Sequence, residues 1–207
     1  MRRVFGLLLV TLALSGPAPL AAQEPRVPPR LQQPVALDRP DQALFNEAVL
    51  IFSNEVRREH GRAPLRSDAA LLRAASDHAG NMARLRTHSH ILPVRGQRDL
   101  SQRMQRQSLQ FRFAAENIAM DKVYRLLGRP ISTSHDGCRF TYGDTREAVP
   151  VHTYASLARE VVGRWLASPK HRESLLSKTY QRLGAGVGVD RSGPACGDFY
   201  LVQDFAD

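Results

Sequence analysis

The sequence predicts an α+β fold, and three observations carry that expectation. Two segments of the first half, Leu44 to Val56 and Leu71 to Met82, repeat apolar residues at helical spacing. A third, Thr153 to Ala167, does so in the second half. The last two apolar runs, Leu183–Val189 and Phe199–Phe205, instead flank the turn-forming Asp190-Arg191-Ser192-Gly193-Pro194 and read as an antiparallel hairpin.

The elements follow in order. Met1-Arg2-Arg3, the apolar stretch Val4 to Leu14 and the small residues of Pro19-Leu20-Ala21-Ala22 have the layout of a secretory signal peptide over residues 1–22, cut before Gln23. The apolar stretch is shorter than the roughly 20 residues of a membrane-spanning helix, and no later stretch reaches that length, so an integral membrane protein is not expected. Pro25, Pro28, Pro29, Pro34 and Pro40 deny residues 23–40 regular hydrogen bonding, and this segment is expected to be an extended lead or linker. The remaining 41–207 suffice for one domain with a substantial core.

Asp41 can cap a first helix bearing Leu44, Phe45, Ala48, Val49, Phe52 and Val56, ending at Gly61. Ser67 can cap a second, with Leu71, Leu72, Ala75, His78, Ala79 and Met82 on one face and the His88-Ser89-His90 loop after it. His78 reads there as a hydrogen-bonded core histidine. A short helix is expected near Asp99–Gln107, a strand over Phe113–Met120, a helix led by Thr153, and a short helix after Pro169. Residues 121–152 carry Gly128, Pro130, Gly137, Gly143 and Pro150 among polar residues, and read as a long loop or insertion in which His135, Asp136 and His152 are solvated.

The formal charge is +9; without Arg2 and Arg3, 27 basic residues face 20 acidic ones, leaving +7. A basic surface can attract anionic lipid head groups or acidic envelope polymers, although arginines also serve simply to solvate helix faces. Nucleic acid is disfavoured, because the chain is read as exported and has no aromatic-interleaved basic motif. The two cysteines, Cys138 and Cys196, are expected to form one structural disulfide in an oxidising compartment, periplasmic or secreted.

Fragments far apart in the chain complete the reading: Ser89-His90, Ala115-Glu116-Asn117-Ile118-Ala119, Trp165 through Ser168-Pro169-Lys170-His171-Arg172, Leu183-Gly184-Ala185-Gly186-Val187-Gly188 and Val202-Gln203-Asp204-Phe205. Each is weak alone, but their order resembles the CAP superfamily (cysteine-rich secretory, antigen and pathogenesis-related proteins), most closely its cysteine-poor bacterial branch. The resemblance spans roughly Asp41 to Phe205 and implies an α-β-α sandwich with a small antiparallel sheet between helices.

It also implies a cleft in which two histidines and two glutamates gather, and the matching positions are His90, Glu116 and His171; Ser168 stands where the second glutamate falls. Glu160 and Glu173 lie nearby in sequence, but their spacing places neither at that corner. Two imidazoles and a carboxylate are a legitimate zinc set with an open position for water, and Glu116, if not a ligand, could act as general base. The alternative is a hydrogen-bonded structural cluster that ties Glu116 and Asn117 to neighbouring loops. The leading expectation is a module binding a divalent cation or small ligand at the cell envelope; the alternatives are a metal-assisted hydrolase of envelope peptide, ester or cell-wall bonds, and lipid or sterol binding.

Overall fold

The computed structural model describes residues 27–133 and 138–207. The signal peptide read in residues 1–22, together with His135 and Asp136, therefore lies outside the described residues. No helix among the described residues is long and apolar enough to cross a membrane.

Helix α1 spans Gln42–Glu59, and the Asp41 carboxylate caps it by accepting from the amides of Ala43 and Leu44 at 2.9 and 3.1 Å. Helix α2 spans Ala69–Leu85 and is capped by Asp68, which accepts from Ala70 and Leu71 at 2.8 and 3.1 Å. Ser67, the expected cap, is instead in the two-residue strand β1 (Arg66–Ser67), and its hydroxyl takes the Asn46 side-chain amide at 2.9 Å. Helix α3 covers Leu100–Arg106, and strand β2 runs Ala114–Lys122, two residues past its expected end. Strands β3 (Ile131–Thr133) and β4 (Phe140–Tyr142) pair with each other. Helix α4 (Tyr154–Ala167) opens on a reciprocal Thr153/Ser156 capping box, and α5 is Pro169–Leu176. The terminal hairpin is β5 (Arg182–Asp190) with β6 (Asp198–Ala206).

The main sheet has the order β1-β5-β6-β2 and is mixed, because β1 runs parallel to β5 while the other pairs are antiparallel. Helix α2 covers one face; α1 and α4 cover the other, over a core that includes Phe45, Leu157, Val161, Trp165, Phe199 and Phe205. The fold is thus α+β and three-layered. The glycines of β5 explain how close the first layer comes. A Cβ on Gly184 would stand 2.1 Å from the Leu71 carbonyl carbon, and one on Gly188 would stand 2.2 Å from the Ala79 carbonyl oxygen. Helix α2 therefore rests on strand backbone, with Ala75, Ala79 and Ala83 as its small contact residues.

Two expectations change. The proline-rich lead is not a free linker from Pro29 onward: Pro29–Gln32 forms a 3-10 turn, and Leu31 and Val35 are buried in the core. Prolines preset the backbone, but these two apolar side chains decide where it goes, and the Val35 amide donates to the His152 carbonyl at 2.9 Å. Nor is 121–152 a structureless loop. The β3–β4 ribbon encloses its own apolar cluster of Phe140, Tyr142 and Val149. The Cys138–Cys196 disulfide, with Cα atoms 5.7 Å apart, ties that ribbon to the β5–β6 connection.

Candidate functional site

Strand β2 is an edge strand that presents a carboxylate to each side of the sheet. Alternation of side chains along a strand sends Glu116 and Asp121, five residues apart, to opposite faces. Glu116 meets α2 and α3. Asp121 meets α4.

On the α2 side, Glu116 is almost fully buried and both its oxygens are taken. His90 Nδ1 lies 2.7 Å from Oε1, and Arg103 Nη2 donates to Oε2 at 2.6 Å. Arg103, itself 1% exposed, also donates from Nη1 to the His90 carbonyl at 3.2 Å, so one guanidinium ties the histidine loop to the strand. Burial alone would raise the Glu116 pKa. The His90 hydrogen bond and the electrostatic pull of His78, Arg103 and His90 outweigh it and hold the group below the usual carboxylate value. His78 is buried as expected but is not hydrogen-bonded as expected: neither ring nitrogen has a well-aligned partner, and Nε2 stands 3.7 Å from Glu116 Oε2. Burial pushes its pKa down to about 4, against the opposing pull of Glu116, so the ring is neutral at neutral pH.

The register pairs Glu116 with Asp204 and Asn117 with Gln203 on adjacent strands. Asp204 is completely buried with no hydrogen-bond donor at either oxygen. Burial, then the Glu116 charge, raises its pKa well above the ordinary value, so the neutral form is favoured beside Glu116. On the other face, Asn117 Nδ2 donates to the His171 carbonyl and to Gln203 Oε1, each at 3.1 Å, and Gln203 donates to Ser53 Oγ at 2.8 Å. Asn117 thereby holds the start of α5 against the sheet edge. His171 and His88 both sense His90: burial and then neighbouring imidazoles lower both pKa values. Of the sequence-predicted residues, His90 and Glu116 are in contact, and His171 lies close enough to His90 to feel its charge. Sequence reasoning missed Arg103 and Asp204. Nothing local marks Arg103, whereas Asp204 sits in a fragment already singled out, one strand away from Glu116.

On the α4 side, a different group assembles. Among the described residues, the set of three metal-ligating side chains whose ligand atoms all lie within 4.8 Å of one another is Asp121, His152 and Glu160, not His90, Glu116 and His171. His152, expected to be solvated, is 1% exposed. Its burial follows from the Val35 and Val123 backbone on either side, which binds its carbonyl and its amide at 2.9 Å each. Its Nδ1 lies 3.0 Å from Ser156 Oγ, while Nε2 has no partner and stands 3.8 Å from Glu160 Oε2. Burial, then Arg125 and Arg164, push the His152 pKa down to about 4. Asp121 accepts from Arg164 Nη2 and from the Lys122 amide, each at 2.7 Å, yet burial, helped by Glu160, pushes its pKa up to about 6. Glu160 and Ser156 also line a cavity of about 380 Å³ whose other walls include Arg125 and Arg159.

Comparison with known proteins matches this architecture. The sequence profile of the CAP, or cysteine-rich secretory protein, family matches residues 50–205. An extracellular protein containing an SCP domain from Bacillus anthracis superposes with a TM-score of 0.51 at 22% identity, over 78% of this chain. The chain spans 40% of that protein's length. An outer surface protein from Borrelia burgdorferi superposes with a TM-score of 0.52 at 17% identity, over 81% of this chain and 96% of that one. No curated protein matches the chain. At these identities the likeness is one of fold.

Proposed function

Since the chain belongs to the CAP family, cysteine-rich secretory proteins, we propose that it is an exported envelope module that binds a ligand, with the His90–Glu116–His171 cleft as its site. The observation that favours binding over hydrolysis is the occupancy of Glu116: Arg103 and His90 hold both oxygens, leaving no free carboxylate to act as a general base.

The same occupancy reassigns the cleft's donors. With its Nδ1 against Glu116 and its side chain 54% exposed, His90 keeps Nε2 as its remaining ring nitrogen, and a carboxylate at Nδ1 fixes the tautomer of a ligating imidazole. The residues that would hold a divalent cation such as zinc are then His90 and His171, with Glu116 orienting His90 and Arg103 keeping Glu116 ionised. The ion would supply a positive centre for an anionic group of an envelope ligand. The chain's basic surplus of 29 Lys and Arg over 20 Asp and Glu, counted over the whole sequence, suits an anionic partner, a lipid head group or an acidic polymer.

The test is a Zn2+ titration of the mature, untagged protein and of its His90→Ala and His171→Ala variants, read beside thermal melting. The reading expects a sharp fall in affinity at one site with little change in melting. Unchanged affinity with a large loss of stability would make the cleft a structural cluster. Turnover of peptide, ester or cell-wall substrates that His90→Ala abolishes would instead favour the hydrolase.

A further inference from the structure

We propose that Asp121, His152 and Glu160 form a second site, for a divalent transition-metal ion, on the opposite face of β2 from the histidine cleft. The two clusters are independent, because Glu116 and Asp121 leave β2 in opposite directions and share no side-chain partner.

The orphaned imidazole carries the argument. A buried polar nitrogen without a partner costs on the order of 1–3 kcal/mol, so His152 Nε2 calls for something to meet it. Neither tautomer finds that partner in the protein. If Nδ1 carries the hydrogen and donates to Ser156 Oγ, then the Nε2 lone pair faces two carboxylates. If Nε2 carries it, Glu160 Oε2 at 3.8 Å is beyond hydrogen-bonding distance. A cation between the three ligand atoms answers the lone pair and both carboxylates together.

The geometry needs little adjustment. Around zinc, with bonds of about 2.0–2.2 Å, tetrahedral ligand atoms stand roughly 3.3–3.6 Å apart. Ligand atoms now within 4.8 Å of one another need to close by at most about 1.5 Å, which the Glu160 side chain, 35% exposed, can supply. Of the three ligands, Glu160 lines the adjoining cavity, so an ion would approach along that side chain. The charges facing the site are Arg164, Lys122, Arg125, Arg159 along the cavity, and the two carboxylates. Arg164 and the Lys122 amide each take one lone pair of an Asp121 oxygen and leave another free, so they orient Asp121 as outer partners rather than fill the site. One imidazole with two carboxylates suits zinc, whereas calcium prefers an all-oxygen shell.

The experiment uses the untagged mature chain carrying His90→Ala and His171→Ala, so that the cleft is disabled. Isothermal titration with Zn2+ should still give one ion per chain, and Co2+ should give a visible absorption band. Adding Glu160→Gln should weaken Zn2+ by at least about 100-fold while the far-UV spectrum stays unchanged, since that side chain is partly exposed. His152→Asn should do the same. No Zn2+ uptake by the cleft-disabled chain, or uptake unaffected by Glu160→Gln, overturns the proposal even if His152→Asn unfolds. Ca2+ bound more tightly than Zn2+ overturns the transition-metal assignment. Wild-type uptake lost only with the cleft histidines sinks this site and leaves the cleft reading standing; the converse sinks the cleft reading alone.

Discussion

The two faces of β2 bury carboxylates under opposite terms. Glu116 is met by groups that answer it, a buried guanidinium and an imidazole, so its charge is at home without any ion. Asp121 and Glu160 share a pocket with a neutral histidine whose inner nitrogen nothing answers, and Asp121 titrates high despite its arginine. Burial is common to both. The difference lies in whether each lone pair and each charge has a partner, and that accounting separates a self-sufficient polar cluster from one that invites a cation.

The sharpest way to break the comparison is to remove Arg103. Arg103→Met leaves Glu116 buried and uncompensated beside Asp204, and should cost about 3–5 kcal/mol in denaturant unfolding. A loss below about 1 kcal/mol would mean that the charge is neutralised another way. Next comes the disulfide, which closes a separation of 58 residues. Replacing both cysteines by serine should cost about 4 kcal/mol on chain-entropy grounds, and should weaken Zn2+ at Asp121 and His152, which bracket the tied segment, more than at the cleft.

Acid tests what the faces have in common. The pKa of His78 and of His152 is pushed down to about 4, below the 6.5 of an ordinary histidine, so between those values the unfolded chain binds protons that the folded chain refuses. The contribution of these two rings should be complete above about pH 6.5 and be lost as pH drops toward 4, by at most about 1.4 kcal/mol per pH unit for each ring, while the raised pKa values of Asp121 and Asp204 act in the opposite sense. His78→Gln should remove one ring's share of that pH dependence relative to the unmodified chain; an unchanged slope in pH-dependent melting would remove His78 as a cause. The smallest effect belongs to Arg164→Met. That guanidinium is 45% exposed, so its loss should cost no more than about 1 kcal/mol. A loss matching that of Arg103→Met would erase the contrast between the two faces.

Periodicity alone located α1, α2, α4 and the terminal hairpin, because a helix or strand with one buried face must repeat apolar residues at its own spacing. The scattered fragments also held His90 and Glu116, which meet at 2.7 Å, and two cysteines sufficed to predict a single bond. What the sequence could not reveal depends on contacts between distant segments. Asp68 displaced Ser67 as a cap only because β1 pairs with β5. Leu31 and Val35 drew a proline-rich lead into the core. Arg103 is one arginine among many until α3 lays it over Glu116. His152 reads as a loop histidine until the lead and the strand end close over it, and nothing in the spacing of Glu160 pairs it with Asp121 until α4 packs against β2. A side chain's chemistry is set by which water it loses and which partners replace it. Both are decided when the layers meet, not along the chain.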